Sequence, residues 1–456
     1  MNILLVNPPG NISFINPPLG LLYISAVLKE SNHNVSLIDY NIKKFSEQNL
    51  SNFIKEKKIK AVGISIVTPK VYNASALAKT IKNNFPGIIL IAGGPHATLL
   101  PEQLISDCPA FDFVVQGEGE FRLKNLINNL EKNIPIDEID GLAYKNNGEI
   151  INNPPKCFID DLNKIPTPSR ELVDIAVYSK HMKTLYSPAT SMMTSRGCPY
   201  QCIYCSKAVT GSKVRSLSPE NVIKEIKFLV NDYKIKEIVF YDDSFTFNKD
   251  RVVKICDLII ENKLKIKWHC ETRVNLVNKE LLTKMKQAGC YMIGYGIESG
   301  SEKMLKKLKK GITLEQIRNT IKITNEAGIK VLGYFMVGIP EETKEDINET
   351  IKFSKQLNPD YVQFAIATAY PGTELYEIAK QQNKLTKDWS KSIYALGGKP
   401  IISLSDIPVE ELYKNIQKAY FSFYFRPSYI IKKISELKNF RYFSYYIRGF
   451  LKLFKI

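Results

Sequence analysis

Residues 196–207 read RGCPYQCIYCSK. Cys198, Cys202 and Cys205 make a CxxxCxxC run, with Tyr204 just ahead of the last cysteine. A structural zinc site is closed by four ligands, typically as two separated CxxC-like pairs. The nearest other cysteines, Cys157 and Cys256, stand well away and unpaired. A thioredoxin-like redox pair would use two thiols at a helix start and leave Cys198 without a role. Three thiolates can instead hold three irons of a [4Fe–4S] cluster, whose cysteine ligation normally takes four, so one iron stays open for a substrate.

The run sits inside a series of β-rich stretches that starts near Ser187: SMMTS, EIVFYDD, IKWHCETR, YMIGYGIES, KVLGYFMVG and DYVQFAIAT. Each but the last is followed by a helical pattern. Six β/α units fall short of the eight that close a full barrel, so the expectation is a partial, open barrel. Polar residues gather at the strand ends, Asp242 and Asp243, Arg273, Glu298 and Ser299, with Gly338 after Val337. In barrels of parallel strands that face carries the chemistry.

Upstream, NILLV, VSLID, AVGISIV, IILIAGG and DFVVQG alternate with helical patterns, among them LGLLYISAVLKE and a helix from about Tyr72 to Asn84. This rhythm predicts a doubly wound, Rossmann-like α/β domain with a parallel sheet. A hairpin with its turn at Asn147-Gly148 follows, and the proline-marked stretch from Asn153 to Arg170 reads as a linker. The expected organisation is a first domain over 1–140, hairpin and linker over 141–185, the partial barrel over 186–400, and a helical basic-aromatic segment over 401–456. In its last part, FRYFSYYIRGFLKLFKI, Arg441, Arg448, Lys452 and Lys455 would form one basic stripe on a helix. Such a helix can dock on a membrane surface or pack against the barrel with its basic side in water.

A chain of 456 residues with 44% hydrophobic and 24% charged residues is an ordinary globular protein, long enough for two or more domains. Its eight cysteines are no secreted disulfide framework, and MNILLVNPPG lacks the plan of a signal peptide. No run approaches the ~18 apolar residues of a spanning helix. A cytoplasmic location is expected, with membrane association through the tail. The formal charge of +17 suits an acidic partner or simply a lysine-rich surface.

A CxxxCxxC run with an aromatic residue before its third cysteine, after the first strand of a partial β/α barrel, resembles the radical S-adenosylmethionine (SAM) superfamily. The resemblance implies that the open iron chelates SAM and that one electron cleaves it to methionine and a 5′-deoxyadenosyl radical, which abstracts hydrogen from an unactivated carbon. It places Tyr204 over the adenine and makes Asp242, Asp243, Arg273, Glu298, Ser299 and Gly338 candidate SAM contacts. PPLGLLYISAVLKE, GGPHAT and GEGE resemble the cobalamin-binding domain that precedes the barrel in one class of the superfamily. That makes Ser65, Thr68, Gly93, Gly94, Gly117 and Glu118 candidate cobalamin contacts. The Asp-x-His-x-x-Gly signature that gives cobalt a histidine is absent, since the first-strand loop reads NPPGNISF. His96 follows a different strand and is better read as bonded within its loop, and Cys256, Cys270 and Cys290 as buried barrel residues.

With cobalamin the implied reaction is methyl transfer to an unactivated carbon; without it, cyclisation, coupling or oxidation. The tail resembles those of members acting on isoprenoid, tetrapyrrole or lipid molecules, so a hydrophobic small molecule is the expected substrate and a flavodoxin or ferredoxin the expected electron donor. Nucleic acid is not an expected partner: a transfer-RNA methylthiotransferase would carry three more cysteines in its first domain, where only Cys108 and Cys157 precede the motif. A non-catalytic cobalamin carrier would have no use for the three-cysteine run.

Overall fold

The computed structural model describes residues 1–10, 15–182, 184–386, 388–391 and 402–436. Its strands fall into two large sheets, each built by the strand-helix alternation written in the sequence. In the first, β1 (Asn2–Asn7), β2 (Asn34–Asp39), β3 (Ala61–Ser65), β4 (Ile89–Gly93) and β5 (Phe113–Val115) run parallel in the order β2-β1-β3-β4-β5. Near-continuous apolar runs suit parallel strands covered by helices on both faces. Ile3 and Leu5 belong to one apolar cluster and Leu4 and Val6 to the other.

The hairpin β6 (Leu142–Asn146) and β7 (Glu149–Asn153) adds to this sheet antiparallel to β5. Asn147 and Gly148 both take positive φ, 49° and 91°, the backbone a two-residue hairpin turn requires.

The second sheet holds β8 (Ala189–Met192), β11 (Glu237–Phe240), β12 (Lys267–Thr272), β13 (Cys290–Glu298), β14 (Lys330–Val337) and β15 (Tyr361–Ile366). All pairings are parallel and follow chain order from β8 to β15. This is the open six-stranded barrel that the rhythm of the sequence predicts. Ile238, Phe240, Trp268, Cys270, Ile293 and Tyr295 face the surrounding helices in the largest apolar cluster, which also takes in Cys256 and Cys290. Period-two alternation turns Val239, His269, Glu271, Gly294 and Gly296 to the other face, the barrel interior. Between β8 and β11 lies a short antiparallel pair, β9 (Ser195–Arg196) and β10 (Arg215–Ser216). The cysteine loop leaves β9 and returns into β10.

An open barrel leaves an edge strand with unpaired backbone groups, and the aromatic C-terminal segment covers it. From the helix Val409–Tyr424, the Tyr420 hydroxyl accepts from Phe364 N–H at 2.9 Å and donates to Phe364 O at 3.3 Å. Tyr424 does the same at Val362, both at 3.1 Å, and Tyr429 donates to Asp360 O at 2.8 Å. Two phenols one turn apart thus serve the bonding groups of β15 as a neighbouring strand would, and a third, on the next helix, serves the residue just before it. The basic-aromatic stretch 440–456 lies outside the described residues. Among the described residues no helix is long and apolar enough to cross a membrane.

At the carboxyl edge of the first sheet, His96 is buried, with Nδ1 3.2 Å from Thr68 Oγ1. Burial pulls its pKa down from 6.5 to about 4, so the folded chain holds it neutral where the unfolded chain protonates it.

Two outcomes follow. Tyr420→Phe strips the buried Phe364 N–H of its acceptor and should lower stability by about 1–3 kcal/mol, read as a lower urea midpoint. Because the unfolded state binds the extra proton, stability should fall as pH drops from about 6.5 through about 4. His96→Gln should remove that share of the slope, measured by urea titrations across the window.

Candidate functional site

The cysteine loop is held at its start by the end of β11. Asp242 is buried and accepts from Thr194 N at 2.6 Å, Thr194 Oγ1 at 2.5 Å and Ser195 Oγ at 2.7 Å. Burial pushes its carboxyl pKa up against those bonds and the nearby Arg251. Asp243 accepts from Gly197 N at 2.8 Å and Thr210 Oγ1 at 3.4 Å. The two carboxylates therefore hold the loop that carries the cysteines.

Cys202 is buried, Cys198 half-buried and Cys205 exposed. A turn closes the second half of the run, with Cys205 N–H donating to Cys202 O at 3.1 Å. The Cys202 thiol is pulled below its ordinary value by the hydrogen bond from Cys205 and by the cations of Lys310 and Arg273, against the effect of burial. Arg273 Nη1 lies 3.4 Å from Cys202 Sγ, its guanidinium stacks 3.7 Å over the Tyr200 ring, and Nη2 donates to Lys310 O. Its buried Nε has no hydrogen-bond partner among the described residues.

Lys310 links this corner to the end of β13. Its ammonium donates to Glu298 Oε1 at 2.7 Å and to Tyr204 Oη at 3.0 Å, while Tyr204 Oη donates to the same Glu298 oxygen at 2.9 Å. Glu298 sits after an irregularity in β13 with φ of 67°, a left-handed conformation that a glutamate adopts at a cost and that clusters at functional sites. Gly296 makes the room, because a Cβ there would lie 2.6 Å from Glu298 Oε1 and 2.7 Å from Lys310 Nζ.

Cys202, Tyr204, Arg273, Glu298 and Lys310 are thus one connected cluster at the carboxyl end of the barrel strands. Lys310 went unread in the sequence. It hides in KKLKKG, where Lys306 and Lys309 are exposed and Lys307 half-buried, and only its burial in the fold distinguishes it from them.

Other candidates stand apart. Ser299 is fully buried, bonded to Thr350 Oγ1 at 2.9 Å and to Ser301 N at 3.1 Å, so it packs its loop against the helix Lys344–Leu357. Gly338 needs its positive φ of 79°, yet the space beside it belongs to Leu412, 2.9 Å from where a Cβ would be. Its N–H and that of Ile339 donate to buried Glu342.

At the first sheet's edge, Ser65, Gly93 and Gly94 lie together at the ends of β3 and β4, with Gly94 at φ 90°. Thr68 is taken up by His96, and Gly117 N–H donates to Thr98 Oγ1 at 2.9 Å. Both carboxylate oxygens of Glu118 are spent on arginines, Arg196 at 3.0 Å and Arg215 at 2.7 Å. Beneath the first-strand loop, buried Lys70 donates to Asn7 Oδ1, Pro8 O and Asn41 Oδ1 at 3.0–3.1 Å.

The donor set fits an iron–sulfur cluster: three soft sulfurs on one loop, one of them beside two cations. Among the described residues no three histidine, cysteine or carboxylate side chains close on a single metal ion. The first sheet's edge, with its glycines and small hydroxyls, fits a cofactor held by backbone and packing. It presents no free imidazole among the described residues, since His96 is bonded and neutral.

The sequence profile of the Radical SAM superfamily matches residues 192–354, and that of the B12 binding domain matches residues 10–127. An uncharacterized methyltransferase of Pyrococcus horikoshii is 39% identical, with 100% of this chain aligned to 99% of that one. The anaerobic magnesium-protoporphyrin IX monomethyl ester cyclase of Rubrivivax gelatinosus is 26% identical over 96% of this chain and 78% of its own. The solved radical SAM methyltransferase TsrM from Kitasatospora setae, with cobalamin and a [4Fe-4S] cluster bound, shares the fold at a TM-score of 0.73 and 18% identity, covering 84% of this chain and 78% of that one. With a full-length relative at 39% identity and both domain profiles in place, the chain belongs to the radical SAM methyltransferase family that carries a B12-binding domain.

Proposed function

We propose that this chain is a cobalamin-dependent C-methyltransferase acting on an unactivated carbon of a hydrophobic small molecule. The observation that carries the reading is the joining of Cys202, Tyr204, Arg273, Glu298 and Lys310 at one barrel edge. When bound, the reduced cluster supplies the electron that splits SAM to a 5′-deoxyadenosyl radical, and cobalamin carries the methyl group. An unactivated C–H carries no proton that a side-chain base could remove, so this reading asks for a radical route at the carbon.

The chain's own residues divide the remaining work. Cys198, Cys202 and Cys205 hold the cluster. Arg273 steadies the Cys202 sulfur and, stacked on Tyr200, shields that side of the loop from water. Lys310 is placed for the methionyl carboxylate, Glu298 for the ribose hydroxyls and Tyr204 for the adenine. Ser65, Gly93 and Gly94 line the edge for cobalamin.

For the substrate, Leu332, Tyr334 and Met336 are half-buried along β14 and alternate with its core residues. The Tyr334 hydroxyl donates to Glu271 Oε1 at 2.6 Å. A largely apolar wall with one polar anchor suits an amphiphile such as a lipid, isoprenoid or tetrapyrrole. The ester cyclase among the relatives supports the same substrate class and keeps ring formation as the second reading. A flavodoxin or ferredoxin is the natural electron donor, and the tail gives contact with the membrane where such substrates reside.

In anaerobically reconstituted protein, Cys202→Ala should lose most of its iron and all formation of 5′-deoxyadenosine from SAM, followed by chromatography. Lys310→Met should keep its iron but bind radiolabelled SAM about tenfold to a hundredfold more weakly in equilibrium dialysis, the worth of a charge-assisted hydrogen bond. Trideuteromethyl-SAM given with a total lipid extract should yield a labelled product by mass spectrometry; label appearing only with a water-soluble extract would overturn the hydrophobic substrate.

A further inference from the structure

The neck of the cysteine loop is tied to the first domain by four charged side chains that are almost wholly removed from water. Arg196 and Arg215 are cross-strand partners in β9 and β10, so they stand at the two ends of the loop that carries Cys198, Cys202 and Cys205. Glu118 Oε1 accepts from Arg196 Nη1 at 3.0 Å, and Glu118 Oε2 from Arg215 Nη1 at 2.7 Å. Glu120 Oε1 accepts from Arg196 Nη2 at 2.6 Å. The four side chains are 1–9% exposed.

The connector joins the same knot. Ile159 N–H donates to Glu118 Oε2 at 2.7 Å, and Ile159 O accepts from Arg215 at 2.6 Å. On the first-domain side, Arg122 Nη1 donates to Glu118 O at 3.0 Å and is itself paired with Asp140. Arg196 also lies over the Tyr23 ring, 5.4 Å from its centroid, and Arg215 over Phe158 at 5.2 Å.

Removing two carboxylates and two guanidiniums from water costs more than apolar packing would, so such a network is a poor device for stability. It is a good one for geometry, since each guanidinium fork accepts its partner in one plane only. Here it fixes the loop that carries the cysteines against the β5 end of the first sheet.

Resting on the functional reading above, we propose that Glu118 and Glu120 are positioning residues that clamp the neck of the cysteine loop to the first domain. They set the separation between SAM at the barrel edge and cobalamin at the sheet edge, and neither touches cobalamin. Cleavage of SAM to 5′-deoxyadenosine needs only the barrel. Methyl donation needs both sites: the S–CH3 bond breaks with its electron pair left on sulfur, giving S-adenosylhomocysteine, and the cobalt of cobalamin reduced to the Co(I) state supplies the pair for the new bond. A loosened clamp should therefore uncouple the two products.

The test uses the full chain, reconstituted anaerobically with iron, sulfide and hydroxocobalamin and reduced by titanium(III) citrate. Both products are measured for wild type, Glu120→Gln and Glu118→Gln. Hydrogen exchange is read separately on the unloaded chains.

Glu120→Gln should keep 5′-deoxyadenosine formation within about twofold and lose at least about tenfold in S-adenosylhomocysteine, since small misplacements are costly at reacting centres. Exchange should quicken in 116–122 and 194–216 and nowhere else. Glu118→Gln should show the same exchange pattern and keep its cobalamin.

The proposal is overturned if Glu118→Gln loses cobalamin with its iron intact, if the two products of Glu120→Gln change in parallel or not at all, or if exchange rises throughout the chain. Arg215→Lys, which keeps the charge and loses the fork, stands in if Glu118→Gln fails to fold, and should uncouple the products likewise. If wild type cleaves SAM but takes up no cobalamin, the functional reading fails, while the exchange arm still decides whether the clamp exists.

Discussion

Arg196 stands two residues before Cys198 and reaches out of the barrel to Glu118 and Glu120, while the backbone around it is held from the barrel side by Asp242 and Asp243. The cysteine loop is therefore fixed from two directions, and the rest of the arrangement depends on it. With the neck fixed, the turn at Cys202–Cys205 comes under Arg273, and Tyr204 comes within reach of Glu298 and Lys310. A loop released from Asp242 and Asp243 would leave three thiols and two cations with no defined relation to one another, whereas release from Glu118 and Glu120 alone would change only its relation to the first domain. Burial makes the constraint strict, because a carboxylate withdrawn from water cannot give up its partner without leaving an uncompensated charge.

The order of the chain shows how such a site arises without a dedicated scaffold. Parallel strands deliver their carboxyl ends to one edge, so residues far apart in sequence, such as Tyr204, Arg273 and Glu298, meet there with no long-range pairing beyond the sheet itself. The costs are paid locally, in the left-handed backbone at Glu298 and the bare glycine at position 296. At the far side of the barrel, phenols of the C-terminal segment complete the open edge. The aromatic character of that segment, suggestive of a membrane or substrate contact, has this structural role in its described part.

Much of this was legible in the sequence, for identifiable reasons. Parallel strands buried on both faces leave unbroken apolar runs, so all six barrel strands and the five parallel strands of the first sheet could be read directly. Asn147-Gly148 declared its turn because few other pairs accept two positive φ angles. The cysteine run spoke for itself by its spacing. Partners were harder to read, since a charged residue at a strand end looks the same whether it faces a ligand or its own backbone. Asp242, Ser299 and Glu118 all looked like contacts for a cofactor, and each is spent on the protein itself. Lys310 was invisible for the opposite reason, buried in a run of lysines whose other members are solvated.

The two domains imply that SAM at the barrel and cobalamin at the first sheet work in one chain. The most direct measurement is the content of protein reconstituted anaerobically with iron, sulfide and hydroxocobalamin, then desalted and assayed for metal and for the cobalamin absorbance. The account predicts about four irons together with one cobalamin per chain. About four irons with no retained cobalamin would contradict it, leaving a radical enzyme whose first domain serves some other purpose.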